Sequence, residues 1–407
     1  MTSHNNPRPH ASLWIVAGLA MGPAVALGLA RFAYALLLPA MRTDLSWSYA
    51  DAGAMNTANA AGYLAGALIA APIARRIGIR QTFLVGIAVT AASVGASALT
   101  PQFALQAGFR MLAGLAGALA FVAGGSMAAA ASGSAARAPL ALGIYFAGGG
   151  LGVAMSALTV PLLLDTVGWR GGWLVLAALA AAAGVIALPA LLRAPLPADQ
   201  SPSAHDSSWS PRRMAIELLG YVLFGAGYIA YATFIIAQLR SGSNFSAREV
   251  SLFWALLGCA AMAGVFVWSP ILARLRGGRG ASAVIAVVAL GAALPLISGS
   301  RAMAYMSALL FGGSFLSTIT AVTSFARRAA PPAAWTKAIA ALTVAFGIGQ
   351  CVGPILSGYL SDGPHGVRTG LQVSVAVLLA AAVLIAFQRE PGAGVVGASR
   401  SGWRENH

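Results

Sequence analysis

The 407-residue chain is 58% hydrophobic and 9% charged, with a mean hydropathy of +0.79 and a formal net charge of +15. Soluble domains carry about 25% charged residues, so this composition excludes a globular protein with a large core. The basic residues sit in short loops between apolar segments rather than in a patch, and Lys337 is the only lysine, which argues against a nucleic-acid partner.

Twelve apolar segments follow one another, at approximately 13–40, 50–74, 82–100, 103–131, 139–163, 170–192, 214–238, 249–273, 281–299, 303–326, 334–359 and 368–388. Most reach the ~20 residues that a helix needs to cross ~30 Å of hydrocarbon. Helix is expected throughout, because a lipid-exposed backbone must satisfy its own hydrogen bonds. The first segment, behind Arg8, is read as an uncleaved span and not a signal peptide, since eleven more follow. Between the sixth and seventh, Arg193 to Arg213 carries Pro195, Pro197, Pro202 and Pro211 among Ser, Asp and His, and is expected to be a flexible cytoplasmic linker. The expected organisation is an all-α membrane protein: one six-helix bundle over 1–192, the linker over 193–213, a second bundle over 214–388 and a disordered cytoplasmic tail over 389–407. No segment outside the membrane is long enough for an enzyme domain. Cys259 and Cys351 lie within apolar runs and are expected to be buried free thiols.

The two halves repeat. Gly28, Tyr34 and Ala35 recur as Gly225, Tyr231 and Ala232; Ser48 and Asp51 as Ser246 and Glu249; Pro72 and Arg76 as Pro270 and Arg274; Asp165 and Arg170 as Asp362 and Arg368. Four matches in order at a nearly constant offset are hard to reach by chance, even in a chain this rich in Ala and Gly. Two parallel copies about an axis along the membrane normal is a common plan for secondary transporters, with the substrate held between them.

Orientation follows from the loop charges. The side of the N-terminus holds Arg8, Arg75, Arg76, Arg80, Arg137, Arg193, Arg212, Arg213, Arg274, Arg276, Arg279, Arg327, Arg328, Lys337, Arg389, Arg400 and Arg404. The opposite side holds Arg42, Arg170, Arg240, Arg248, Arg301 and Arg368, which is 6 against 17. The positive-inside rule then places both termini in the cytoplasm.

Arg31 and Arg110 are the basic residues deep in apolar spans, and each costs roughly 2.5–3.5 kcal/mol at a helix centre. Tyr34, Asn56, Asn59, Tyr228, Tyr231 and Gln350 join them at helical spacing, so these eight are the candidate substrate-binding residues. Packing and interhelical hydrogen bonding compete as explanations for the tyrosines and asparagines. No Asp, Glu or His lies near the middle of a span, and all five histidines are in termini or loops. Asp51 is the carboxylate that could neutralise Arg31 or Arg110. No metal-ligand cluster, cofactor motif or nucleophile–base pairing is present, so no cofactor and no metal is expected.

The residues also carry a resemblance. The loop from Ala71 to Arg80, with Arg76, Gly78 and Arg80, is similar to the cytoplasmic loop motif of the major facilitator superfamily. Arg110, Gly114 and Gly117 resemble its arginine motif, and Trp169 with Arg170 is typical of its sixth span. Gly28, Arg31, Pro39 and Met41, and Gly347 through Gly353 and Pro354, resemble the YbfB-like bacterial subgroup. The resemblance covers essentially the whole chain. It implies twelve helices in two pseudo-symmetric bundles, with the first, fourth, seventh and tenth lining a central cavity. It also implies gating roles for Arg76, Gly78, Arg80, Arg274, Arg279, Gly353 and Pro354. Ala71 and Arg75 replace the Gly and Asp of the loop motif, so the cytoplasmic latch must use other partners or be weaker. The fifth span has Gly148 to Gly152 where many antiporters carry Gly-Pro.

The expected function is a secondary active or facilitative transporter working by alternating access as a monomer in a bacterial inner membrane. With two cavity arginines and no carboxylate mid-span to cancel them, its substrate is expected to be a small organic anion, carried with protons or by facilitated diffusion. Export of a neutral sugar-like or amphipathic solute, and a non-transporting sensor, are the alternatives.

Overall fold

The computed structural model describes residues 13–134, 137–197, 210–331 and 334–389, apart from the side chains of Arg213 and Thr336. Among the described residues there are twelve helices long and apolar enough to cross a bilayer, and no strand. The first six are α1 (Leu13–Asp44), α2 (Tyr49–Ile77), α3 (Ile79–Ala96), α4 (Phe103–Ala131), α5 (Ala138–Ala157) and α6 (Val160–Arg193). The second six are α7 (Ala215–Ser243), α8 (Ala247–Arg274), α9 (Arg279–Ile297), α10 (Arg301–Ala329), α11 (Trp335–Ser361) and α12 (Val367–Ala386). Positions 198–209 of the expected linker and 390–407 of the expected tail lie outside the described residues.

The packing of one half maps onto the other when every helix is advanced by six. Within the first half α2 packs on α4, α3 on α4 and α6, and α1 on α5 and α6. The counterparts α8–α10, α9–α10, α9–α12, α7–α11 and α7–α12 are all present. The most extensive contacts between the halves are α5 with α8 and α11 with α2, and these too exchange under the shift, with α1 meeting α7 between them.

Backbone detail obeys the same register. Ser48 (φ −67°, ψ 167°) and Ser246 (φ −67°, ψ 166°) each close a capping box, with Asp51 and Glu249 at the third helical position. Ser46 and Asn244 have φ of 53° and 50°, and Gly168 and Gly366 have φ of 63° and 62°. At the two glycines ψ is −177° and −156°, a region essentially reserved for glycine. Each stands one residue before the stretch that rises through the bilayer, at Trp169 and Val367. Gly168→Ala and Gly366→Ala are therefore each expected to lower unfolding stability by about 1–3 kcal/mol. A thermal midpoint unchanged in detergent would refute that.

Two expectations are corrected. The sixth helix starts at Val160, not near 170: Pro161 opens a short helical stretch that kinks into the main span at Gly168. Cys259 is exposed and Cys351 half-buried. An apolar run in this chain need not be buried, because lipid solvates the outer faces of the bundles.

Between the halves, backbones approach closely. A Cβ on Gly258 of α8 would stand 2.7 Å from the Gly150 carbonyl oxygen of α5, and one on Gly53 of α2 would strike the Pro354 carbonyl of α11. Lipid supplies no hydrophobic drive between helices, so small residues that permit such packing carry the association. Among the described residues five hydrogen bonds join the halves. Tyr49 and Ala50 donate backbone N–H to the Asp362 carboxylate at 2.7 and 3.0 Å, and Asn56 donates to Thr233 Oγ1 at 2.5 Å. Thr57 donates to the Cys351 carbonyl at 2.7 Å and Ser251 to the Ala157 carbonyl at 2.7 Å. All five lie in the half of the bundle remote from where α1 starts. That side is closed.

Candidate functional site

Arg31 sits where α1 departs from regular geometry. Ala24–Phe32 is a π-helix, and Ala33 N–H still reaches back five residues to the Gly28 carbonyl. Such stretches are rare and gather at functional sites. The wider turn breaks the 3.6-residue spacing on which Arg31 and Tyr34 would share a face. Arg31 points instead toward the boundary between the halves. Its guanidinium lies 5.5 Å from the centre of the Tyr63 ring of α2 and stands near Tyr228 of α7 and Cys351 of α11. The side chain is 2% exposed, and its Nε and Nη2 have no hydrogen-bond partner. Those two nitrogens form one edge of the guanidinium, the edge that binds a carboxylate through two parallel bonds.

Arg110 is equally buried but is spent inside the first half. Nη1 donates to the Ala30 carbonyl and Nη2 to Asn56 Oδ1 at 3.4 Å. The guanidinium stacks over Tyr34 at 4.8 Å and Trp173 at 5.4 Å. Arg31 and Arg110 also feel each other's charge. Arg110 thus braces α1, α2 and α6 behind the boundary while Arg31 faces it.

The other predicted binding residues divide in the same way. Asn56 bridges the halves through Thr233, and Gln350 Nε2 donates to the Tyr228 hydroxyl at 2.5 Å beside Arg31. Tyr34 departs from expectation: it donates to the Ala52 carbonyl at 2.9 Å and its ring stacks near Trp173, within the first half. Asn59 donates to the Arg110 carbonyl at 3.0 Å, and Tyr231 pairs with Ser307 at 2.5 Å within the second half. Asp51 does not meet either arginine. Its carboxylate accepts from the Ser48 backbone and hydroxyl, at 3.0 and 2.8 Å.

Of the predicted gating residues, Arg76, Arg274 and Arg279 are exposed at the side where α1 starts. Arg80 donates to the Ala194 carbonyl at 2.7 Å, tying α3 to the end of α6. Gly78 makes the α2–α3 turn at φ 89°, with open space where a Cβ would stand. Gly353 packs against the Ala226 carbonyl of α7, and Pro354 against Gly53. Both ion pairs among the described residues, Arg170–Asp44 at 3.5 Å and Arg301–Glu249 at 3.0 Å, lie on the closed side.

Sequence reasoning missed Thr57, Thr233, Trp173 and the Asp362 contact, whose partners are far apart in sequence. Glu217 stands in the first turn of α7. The structure buries that side chain fully, with both carboxyl oxygens lacking a donor, about 16 Å along α7 from Tyr228. It cannot neutralise Arg31 from there.

Residues 23–386 match the family described as "Uncharacterised MFS-type transporter YbfB". The chain is 28% identical over 374 residues to a chloramphenicol resistance protein of Streptomyces lividans, covering 87% of this chain and 92% of that one. It is 27% identical over 377 residues to human monocarboxylate transporter 11, covering 86% and 76%. Among solved structures, the nucleoside transporter NupG superposes with a TM-score of 0.69 at 15% identity, over 92% of this chain and 97% of that one. A bacterial homologue of the human lysosomal transporter Spinster, inward-facing and occupied, gives 0.69 at 17% identity, over 91% and 95%. At these identities the structural likeness concerns the fold.

Proposed function

The chain belongs to the major facilitator superfamily, in the family of YbfB-type transporters, and we propose that its cargo is a small organic anion moved by alternating access. One observation carries the reading: the buried Arg31 presents an unpartnered guanidinium edge at the boundary between the two bundles. An uncompensated buried cation is costly, and a carboxylate bound along that edge would satisfy both nitrogens. Asn56, Tyr228 and Gln350 border the same place and would orient the body of the substrate. Arg110, Tyr34, Asn59 and Tyr231 act behind them as supports.

The relative named a monocarboxylate transporter supports a carboxylate cargo. The one named a chloramphenicol resistance protein favours a second reading, export of a neutral amphipathic solute. Counterflow separates them. Proteoliposomes preloaded with an unlabelled carboxylate should accumulate its labelled form and ignore the matching primary amide. Accumulation of the amide but not the acid would discard the anion reading.

Both termini lie in the cytoplasm of a bacterial inner membrane in this reading, supported by the excess of basic residues on the side where α1 starts. The closed side is then periplasmic. Reporter fusions after Ala198 and after His407 should both report cytoplasm, and a periplasmic signal at either would sink this orientation. The unit of transport is the monomer, with the proton as the candidate co-substrate.

A further inference from the structure

We infer that the anion carried by this protein has a planar aromatic body, an assignment that rests on the anion reading of Arg31 and narrows it. Below Arg31, toward the side where α1 starts, both bundles present rings to the boundary. On the first, Tyr63 lies 6.0 Å from Phe121 of α4, which lies 5.7 Å from Phe146 of α5 at 23° between planes. All three are only half-buried. On the second, Phe346 of α11 is half-buried and backed by Tyr221, Phe224 and Tyr228 of α7, at 4.7, 5.9 and 5.5 Å and within 13° of parallel.

The two walls meet at the boundary. Gly347, next to Phe346, faces the side chain of Leu64, next to Tyr63. Gly149, one turn from Phe146, has Leu27 of α1 and Leu316 of α10 around it, so that face of α5 looks at the boundary. Tyr63 also stands near Tyr221 and Tyr228 of the second half. Arg31 therefore stands at the head of a boundary that carries aromatic rings on both sides. Its carboxylate-binding edge fixes one end of a ligand, and the ring faces fit a flat π-system at the other. A bundle needing only close packing would use the small residues found at α2–α11 and α5–α8. Aromatic residues left only half-buried along that boundary suit a ligand that stacks on them.

The test compares benzoate with cyclohexanecarboxylate, which match in charge and heavy-atom count and differ in the planarity of the ring. Calorimetric titration of the purified full chain should show benzoate binding about 3- to 10-fold more tightly. Phe121→Leu with Phe346→Leu should bring that ratio near one while both acids still bind. Arg31→Gln should weaken both acids by the same factor and leave the ratio in place. Equal or reversed affinities in the unaltered protein, with Arg31→Gln still weakening both, would overturn the aromatic assignment and leave the anion reading standing. No saturable binding of either acid, or affinities indifferent to Arg31→Gln, would overturn the two together.

Discussion

Arg31→Gln is expected to weaken carboxylate binding about 10- to 100-fold without lowering the stability of the empty protein. A charge-assisted hydrogen bond contributes about 1.5–3 kcal/mol, which sets the loss of affinity. The unliganded guanidinium contributes no hydrogen bond to the fold and carries the penalty of burial. Replacing it with a neutral amide should leave the thermal midpoint unchanged or raise it. Arg110→Gln should behave in the opposite sense. It removes the donors to the Ala30 carbonyl and Asn56 and the cation stacked on Tyr34 and Trp173, so stability falls by about 1–3 kcal/mol. Arg31→Lys keeps the charge but loses the two-pronged edge, and should recover only part of the affinity. Thermal midpoints with and without a carboxylate measure both quantities together, since a ligand bound only by the folded state raises the midpoint. If both glutamine variants lose stability equally and keep their ligand-induced shift, Arg31 is a structural residue like Arg110.

The sequence could not make that distinction. Arg31 and Arg110 read alike as single cations in apolar spans, and helical spacing put Tyr34 beside Arg31. What separates them is the π-helical stretch over Ala24–Phe32, which turns Arg31 to the boundary and Tyr34 into the bundle. No composition or periodicity signals a π-helix. The repeat, in contrast, was legible because it is local chemistry copied in order. Ser48 with Asp51 and Ser246 with Glu249 are capping boxes readable from four residues each, and they adopt the same backbone angles. The aromatic cluster takes rings from five helices, and outside α7 each of these shows only two or three scattered ones. Only the packing gathers them.

The same gathering produced the Asp362 contact, and Asp362→Ala is expected to shift the protein toward the conformation open on the side where Asp362 lies. In the repeat register Asp362 corresponds to Asp165, yet the two are used differently. Asp362, at the end of α11, accepts from the first two backbone N–H groups of α2, across 313 and 312 positions of sequence. Those groups are unsatisfied at any helix start, and the positive end of the helix dipole favours a carboxylate there. Asp165 makes no such bond to the start of α8. It lines a crevice of about 430 Å³ between the bundles, with Leu36, Ile236 and Arg240. One half of the repeat is therefore latched across the boundary and its counterpart is not. A carboxylate in this position is worth up to about 2 kcal/mol. Removing 1–2 kcal/mol from the closed state would raise the population open on that side roughly 5- to 30-fold. A reporter is available at Ile236, which is 1% exposed in the closed crevice. In a chain with Cys259 and Cys351 replaced by Ala, Ile236→Cys should react with a membrane-impermeant maleimide roughly 5- to 30-fold faster once Asp362→Ala is added. Asp165→Ala should leave the labelling rate where it was. Equal acceleration by both variants would mean that loss of negative charge near the crevice, and not the bond to α2, opens it. No acceleration by Asp362→Ala would mean that the close packing at Gly53–Pro354 and Gly150–Gly258 holds this side shut without the carboxylate.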